Sequence, residues 1–144
     1  MGFKTMLIKP IANKIAKDIH RWASHGVQAQ DVVFQQLLKG GKRTAFGKDH
    51  NFDKIDSYEA FKAQVPIRDY EDLKPYIERI KAGEANVLWK GKPIYFAKTS
   101  GTTSGVKYIP LTKDSLPNHF GTARNALFNY FAHSGNGQFL DGKM

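Results

Sequence analysis

The sequence predicts an α+β or α/β fold in which a helical N-terminal half precedes the first strands of a larger domain. Apolar residues recur at helical spacing up to residue 83, and short β-prone segments begin only at residue 87. A helical period returns over residues 113–133, after a loop rich in hydroxyl side chains. Three short strands cannot bury both faces of a sheet, so we expect residues 1–144 to form a single incomplete domain.

Composition limits the class of protein. A chain of 144 residues with 41% hydrophobic content is long enough to build a core. No apolar run approaches the roughly 20 residues of a membrane helix, and the N-terminus has no pattern of a secretion signal. The absence of cysteine excludes disulfides and thiol chemistry and fits a cytoplasmic protein, which is the location we expect.

Positive charge is concentrated in two zones of a chain whose net charge is +9. The N-terminal basic zone, residues 1–43, holds eight Lys and Arg against two acids, and the central basic zone, residues 85–113, holds five lysines and no acid. Basic zones attract phosphate-bearing partners. One alternative is therefore a basic helical module that docks on nucleic acid or an anionic membrane. The N-terminal zone lacks interleaved exposed aromatics and any nucleic-acid motif, so we expect neither partner.

Two amphipathic helices are predicted before residue 42. The first opens at Pro10 and closes near Gly26, with an apolar stripe formed by Ile11, Ile15, Ile19 and Trp22. The second covers residues 28–39 and is terminated by the pair Gly40-Gly41. The stripes are expected to pack against the protein itself, with membrane-surface binding as the less favoured alternative.

Residues 42–83 predict an irregular segment and two further helices. Residues 42–56 are expected to be a loop that carries His50 at the surface, rather than a metal site. Asp56 is expected to cap a short helix that ends at Pro66. Asp69 caps the next helix, in which Pro75 is expected to mark the start of a continued helix and Gly83 the stop.

Strands are predicted at residues 87–89, 94–98 and 107–111, with Pro110 at a sheet edge or strand end. Thr112 or Asp114 should cap the helix over residues 113–133. The apolar positions of that helix are Leu116, Phe120, Ala123, Leu127 and Tyr130. Residues 134–144 are expected to form a tail that begins another strand.

The loop between the second and third predicted strands carries the strongest functional signal. Residues 99–105 are only Ser, Thr or Gly, and Lys98 and Lys107 stand on either side of them. Glycines let backbone N–H groups converge on an oxyanion, hydroxyls donate hydrogen bonds, and lysines supply charge. The loop lacks the GK[ST] ending of nucleotide triphosphatases, since Val106 and a strand follow Gly105. A phosphate-binding loop is therefore predicted, with a flexible hairpin loop as the alternative.

This loop, Thr99-Ser100-Gly101-Thr102-Thr103-Ser104-Gly105-Val106-Lys107, resembles the phosphate-binding signature of acyl-adenylate-forming enzymes. The variant with Ser104 before the glycine, followed by Tyr108-Ile109-Pro110, is similar to the auxin-responsive (Gretchen Hagen) family of acyl acid amido synthetases. Upstream segments agree, among them Thr44-Ala45-Phe46-Gly47 and Val65-Pro66-Ile67-Arg68-Asp69-Tyr70-Glu71-Asp72-Leu73. The resemblance spans roughly residues 10–140 and covers about the first quarter of a family member.

The resemblance implies a two-step reaction. A carboxylic acid attacks ATP to give an acyl-adenylate, and an amino acid amine then displaces AMP to form an amide. It also implies that Lys107 and Thr103 act in catalysis and that the ATP phosphates contact Thr99, Ser100, Gly101, Thr102, Thr103, Ser104, Gly105 and Lys107. Lys98 could replace Lys107 at the phosphate.

The partners implied by the resemblance are ATP, magnesium, a carboxylic acid and an amino acid. The magnesium ligands, the ribose-binding acid and most of the acyl pocket are expected beyond residue 144, so the chain alone should not catalyse adenylation. A non-catalytic remnant that keeps the loop only as structure is the remaining alternative.

Overall fold

A computed structural model describes residues 3–100 and 105–140. The helices in this part of the chain are α1 Phe3–Ser24, α2 Gly26–Gly41, α3 Ala45–Asp49, α4 Tyr58–Gln64, α5 Tyr70–Lys81 and α6 Leu116–Ser134. Two strands, β1 Tyr95–Lys98 and β2 Tyr108–Leu111, form an antiparallel pair. Short 3₁₀ turns occupy Phe52–Lys54 and Gln138–Leu140. The predicted α+β character is confirmed, and none of the helices in the described residues is long and apolar enough to cross a membrane.

The chain divides into two compact units. The first combines the segment up to Gln30 with the segment from Pro117 onward, and it contains α1 and most of α6. The second, from Asp31 to Leu116, contains the sheet and the helices α3 to α5. Both strands that flank the predicted phosphate loop therefore lie within the second unit.

Helix α1 begins earlier than predicted. Pro10 lies inside the helix, and the first helical residue is Phe3. A proline removes one backbone donor, and a long helix can continue around that single loss. The predicted apolar stripe is partly open to solvent: Ile11 and Trp22 are 52% and 63% exposed, whereas Ile15 and Ile19 are half-buried.

Helix α6 is capped as predicted by Thr112, whose hydroxyl accepts a hydrogen bond from the backbone N–H of Ser115 at 3.2 Å. Most of the apolar residues that mark its helical spacing are exposed. Phe120 is 71% exposed and Leu127 and Tyr130 are also exposed, while Phe131 is buried. Helical spacing identifies a face, but only the neighbouring elements decide which apolar residues are covered.

The segment between α2 and α4 is more ordered than predicted. Helix α2 continues through Gly40 and Gly41, and residues 45–49 form α3 instead of a loop. Thr44 caps α3: its buried hydroxyl donates to the carbonyl oxygen of Gly41 at 2.7 Å and accepts from the N–H of Gly47 at 3.0 Å. This double contact ties the end of α2 to the start of α3.

His50 is buried, so its predicted surface position was wrong. Its ring stacks on Phe46 with centroids 4.0 Å apart, and Nδ1 lies 2.7 Å from the Phe46 carbonyl oxygen. Nε2 lies 3.1 Å from the guanidinium of Arg68, which can only donate. Nδ1 therefore carries the proton, and the imidazole is a structural link between α3 and the segment before α5.

Helix α4 is capped by Ser57 rather than Asp56, because the Ser57 hydroxyl accepts from the N–H of Ala60 at 3.1 Å. The helix ends ahead of Pro66, as predicted. Ser57 is the residue after Asp56, and its hydroxyl satisfies the first turn of α4 in place of the Asp56 carboxylate.

Helix α5 is capped by Asp69 as predicted, and it carries a full capping box. Asp69 accepts from the N–H of Asp72 at 3.0 Å, and the Asp72 carboxylate accepts from the N–H of Asp69 at 3.3 Å. Pro75 was expected to start a new helix but lies inside this continuous one. The helix ends before Gly83, as predicted.

The core of the second unit forms where α5 meets the segment after it. Ile77, Ile80 and Val87 are buried together, and Tyr70 and Tyr108 pack against them. A group of aromatic rings in edge-to-face or stacked contact joins α2, α3, the 3₁₀ turn, α4 and α5; its members are Phe34, Phe46, Phe52, Tyr58, Phe61 and Tyr76.

Residues 87–89 are not a strand. The carbonyl oxygens of Asn86 and Val87 accept hydrogen bonds from the N–H groups of Ala45 and Phe46 at 2.8 and 3.0 Å. The backbone that would have formed a ladder is thus used at the start of α3. Val87 is buried at 1% exposure, and the segment pairs with the start of a helix instead of a strand.

Candidate phosphate-binding site

The predicted loop is closed by an antiparallel stem. Tyr95 pairs with Leu111 and Lys98 with Tyr108, as the sequence predicts for strands 94–98 and 107–111. Beyond the strands, the N–H of Thr99 donates to the Lys107 carbonyl oxygen at 3.1 Å. The Lys107 N–H lies 3.3 Å from the Thr99 hydroxyl, which accepts from it. Thr99 and Lys107 therefore form the base of the loop.

Gly105 has a positive φ of 76°, a conformation that residues with a side chain rarely adopt. It returns the chain from the loop to the stem directly before Val106 and Lys107. The backbone turn alone explains why this position is a glycine, whether or not the loop binds a ligand.

The stem is fixed to α5 through Tyr70. The N–H of Tyr108 points to the open edge of β2 and donates to the Tyr70 hydroxyl at 2.9 Å. Tyr70 is the first residue of α5, and both tyrosines pack on the buried cluster of Ile77, Ile80 and Val87. The capping box of α5 thus positions, through Tyr70, the strand that follows the loop.

Lys107 is the better placed of the two candidate lysines. Its side chain is half-buried, and Nζ lies over the Tyr70 ring, 5.6 Å from the centroid. Within the described residues no carboxylate pairs with Lys107. An aromatic face holds a cation without neutralising it, so the Lys107 charge stays available to an anion. Lys98 is exposed on the opposite strand.

A third lysine lies close to the stem but is already paired. Lys81 Nζ lies 4.7 Å from the Tyr108 ring centroid and 2.8 Å from a Glu78 carboxylate oxygen. The hydrogen bond to Glu78 raises the pKa of Lys81, so this lysine remains protonated and its charge is balanced. It stabilises the stem rather than contributing a net charge to the loop.

The structure brings part of the predicted site together. Thr99, Ser100, Gly105 and Lys107 lie at the base of the loop, on the two arms that lead into it. Gly101, Thr102, Thr103 and Ser104 fall outside the described residues, so the roles predicted for them, including catalysis by Thr103, stay predictions. Of the side chains that are described, Lys107 alone combines charge, partial burial and a fixed support.

Sequence reasoning missed Tyr70 as part of this site. The one pointer in the sequence is that Tyr70 directly follows the capping residue Asp69, in a segment that also carries the family resemblance. Nothing in the sequence, however, shows that a residue 38 positions before Tyr108 meets its backbone.

The described residues contain no group of three or more His, Asp or Glu side chains that could hold a metal ion. The alternative of a metal site at His50 has no support, since both its ring nitrogens are engaged by Phe46 and Arg68.

The family model and the relatives that match this chain all point to one family. Residues 15–142 match the GH3 family N-terminal domain. The chain is 31% identical over 105 residues to the indole-3-acetic acid-amido synthetase GH3.2 of Arabidopsis thaliana. The aligned region covers 72% of this chain and 19% of that protein. It is 31% identical over 104 residues, 71% of this chain and 18% of the relative, to the 4-substituted benzoates-glutamate ligase GH3.12 of the same plant.

A further relative is the indole-3-acetic acid-amido synthetase GH3.15 of Arabidopsis thaliana, with 38% identity over 91 residues, 62% of this chain and 15% of that protein. The chain therefore matches less than a fifth of the length of each of these three relatives. Because the matched domain extends over nearly all of its residues, the chain belongs to the GH3 family, as the loop and the segments around it predict.

Proposed function

We propose that residues 99–107 hold the β- and γ-phosphates of ATP for an acyl acid amido synthetase. The observation that carries this proposal is the fixed stem of the loop, with Lys107 half-buried over the Tyr70 ring and paired with no carboxylate in the described residues. The GH3 membership of the chain supports the same reaction class.

The chemistry of adenylation explains why such a loop is needed. When a carboxylate attacks the α-phosphate, negative charge develops on the departing pyrophosphate. Donors that are already in place around the β- and γ-phosphates stabilise this charge without reorganising. The backbone and hydroxyls of Ser100 to Gly105 would supply neutral donors, and Lys107 would supply the positive charge.

The substrates of the whole enzyme would be a carboxylic acid and an amino acid. The names of the relatives include an indole-3-acetic acid-amido synthetase and a benzoate-glutamate ligase, which couple these two classes of molecule. A magnesium ion would balance the charge of the bound phosphates, with ligands from outside residues 1–144. A cytoplasmic location, where ATP is abundant, fits this function.

The binding test compares single lysine variants of this chain. We expect ATP affinity, measured by isothermal titration calorimetry, to fall about tenfold in Lys107→Ala, which corresponds to about 1.4 kcal/mol. The Lys92→Ala variant removes the same charge from the turn before β1 and should bind ATP almost as the parent chain does. Lys98→Ala tests the alternative lysine. Equal affinities in the parent and in Lys107→Ala would contradict the assignment.

The catalytic test uses pyrophosphate exchange. The chain alone should not exchange pyrophosphate into ATP, because the acyl pocket and magnesium ligands are expected elsewhere. In an enzyme that joins this segment to a complete adenylating domain, Lys107→Ala or Thr103→Ala should lower the adenylation rate by more than about tenfold. Exchange activity in the isolated chain would contradict the first expectation, and unchanged rates the second.

A further inference from the structure

The second unit contains an open cleft of about 710 Å³ in which the two basic zones of the sequence meet. Lys39, Lys42 and Arg43 come from the N-terminal basic zone, and Lys90 comes from the central one. We name it the basic cleft. None of its lining residues belongs to the phosphate loop, and it plays no part in the function proposed above.

The charges of the basic cleft are mostly uncompensated. Lys90 pairs with Asp114 at 2.9 Å. Lys39, Lys42 and Arg43 are exposed and form no ion pair in the part of the chain that the structure describes. A cation near the C-terminus of a helix is favoured by the helix dipole, which explains Lys39 at the end of α2. The same dipole favours Lys42 and Arg43, which directly follow the last helical residue, but its partial charge of about −0.5 does not balance three cations.

One wall of the cleft is held rigidly by Trp89. The indole Nε1 donates to Asp114 at 3.1 Å. The edge of the ring packs against Gly40 so closely that a methyl group on this glycine would lie 2.3 Å from the ring. Hydrogen bonding to Lys90 and to the Trp89 indole lowers the pKa of Asp114, which keeps the carboxylate charged and both partners in place.

Asn86 fixes the turn that carries Trp89 and Lys90. Its φ is +58°, its side-chain oxygen accepts from the Gly91 N–H at 2.7 Å, and its carbonyl oxygen accepts from the Ala45 N–H at 2.8 Å. The cleft therefore has a pre-formed wall on one side and exposed cationic side chains on the other. Pre-formed sites bind ligands with a lower ordering cost.

We propose that the basic cleft binds a small anion that carries two or more phosphate groups. Three cations without carboxylate partners favour a multiply charged ligand over a single carboxylate or monophosphate. Its volume lies within the range of about 300 to 1,000 Å³ that small-molecule sites occupy. The cations converge on one cleft instead of following a long stripe, which favours a compact ligand over a nucleic-acid strand.

The test uses Trp89 as the reporter. The sequence has two tryptophans, so Trp22→Phe leaves Trp89 as the single emitter. Titration with inorganic tripolyphosphate at constant ionic strength should give a saturable change in Trp89 emission, and inorganic monophosphate should bind at least tenfold more weakly. Equal binding of the two anions would overturn the requirement for several phosphates.

A matched pair of triple variants separates the cleft from general electrostatics. Replacing Lys39, Lys42 and Arg43 by Ala should weaken tripolyphosphate binding by at least tenfold, while the variant keeps a cooperative melting transition because these side chains are exposed. Replacing the exposed Lys9, Lys14 and Lys17 of α1 by Ala removes the same charge and should change affinity less than twofold. Equal weakening by both triple variants would overturn the proposal.

Three further measurements identify the binding site and the source of the ligand. Lys107→Ala should leave tripolyphosphate binding at the cleft unchanged, so loss of the Trp89 signal in that variant would assign the binding to the loop and overturn a separate site. Vesicles with a phosphoinositide should be bound only if the ligand is a lipid headgroup, and tripolyphosphate should then displace them. Tighter binding of a single-stranded oligonucleotide, lost in the cleft variant, would overturn the compact ligand in favour of nucleic acid.

Discussion

At the scale of single residues, Thr44 shows how one hydroxyl can join two helices. It is 1% exposed, it donates to the end of α2 and it accepts from the first turn of α3. Both hydrogen-bond partners of the Thr44 hydroxyl are backbone groups. The family motif Thr44-Ala45-Phe46-Gly47 therefore has a structural reason that is separate from catalysis.

We expect Thr44→Val to lower the free energy of unfolding by about 1 to 3 kcal/mol, since the Gly47 N–H loses its acceptor and the Gly41 carbonyl oxygen loses one donor, keeping the backbone N–H of residue 44 as the other. Chemical denaturation followed by circular dichroism would measure it. Thr122→Val is the matched control, because the exposed Thr122 hydroxyl only donates to the Asn118 carbonyl oxygen within α6. A loss of similar size in both variants would show that the Thr44 hydroxyl has no special role.

Tyr70 connects the stem of the predicted phosphate loop to the core by two separable contacts. Tyr70→Phe keeps the ring below Lys107 but removes the acceptor for the Tyr108 N–H, and Tyr70→Leu removes both. We expect ATP affinity to fall several-fold in the Phe variant, for a hydrogen bond of about 1 kcal/mol, and further in the Leu variant. Calorimetric titration with ATP would measure it.

The control for Tyr70 is Tyr58→Phe, which changes an exposed tyrosine of α4 in the same unit. It should leave ATP affinity unchanged. If the Phe and Leu variants of Tyr70 bind ATP as tightly as the parent chain, the loop does not depend on its support, and Tyr70 serves only the core.

At the scale of elements, α5 depends on its capping box and carries both the core cluster and Tyr70. Replacing Asp69 by Ala removes the acceptor for the Asp72 N–H. We expect a loss of about 1 kcal/mol in the free energy of unfolding, within the range of about 0.5 to 2 kcal/mol for such caps. Urea denaturation would measure the change.

Glu71→Ala provides the comparison for this cap. It removes one negative charge from the same first turn but breaks only the exposed pair with Lys74, so the expected loss is a few tenths of a kcal/mol. A loss in Glu71→Ala as large as that in Asp69→Ala would mean that charge, rather than the cap, stabilises α5.

At the scale of the whole molecule, two carboxylates link stability to pH. The hydrogen bond from Arg79 lowers the pKa of Glu84, and those from Lys90 and Trp89 lower the pKa of Asp114. A lowered pKa in the folded state means that the stabilisation is present above the pKa of the unfolded state and is lost as the pH falls through the folded value. We therefore expect the melting temperature to fall below about pH 4.

Asp114→Asn tests this dependence, since it removes the titrating group but keeps an acceptor for the Trp89 indole. Its melting temperature should fall less than that of the parent chain between neutral and acid pH. Asp53→Asn, at an exposed position of the 3₁₀ turn with no ion pair in the described residues, should leave the acid dependence as it is. An identical acid dependence in the parent and Asp114→Asn would contradict the role of Asp114.

The sequence by itself determined the features that depend on local chemistry. The Asp69 cap, the end of α5 before Gly83, the two strands around the loop and the family all follow from short segments whose side chains act on their own backbone or on near neighbours. The loop is recognisable for the same reason, because seven successive Ser, Thr and Gly residues between two strands are a local feature; its binding of phosphate stays a proposal.

Only the tertiary structure decided which distant groups meet. In the folded chain the backbone around Val87 binds the start of α3 and forms no strand. His50 is buried beside Arg68, and the Tyr70 ring lies below Lys107. Each result depends on hydrogen bonds or contacts between residues far apart in the chain, for which sequence periodicity carries no signal. The basic cleft has the same origin, since folding alone brings Lys42 and Lys90 to one site.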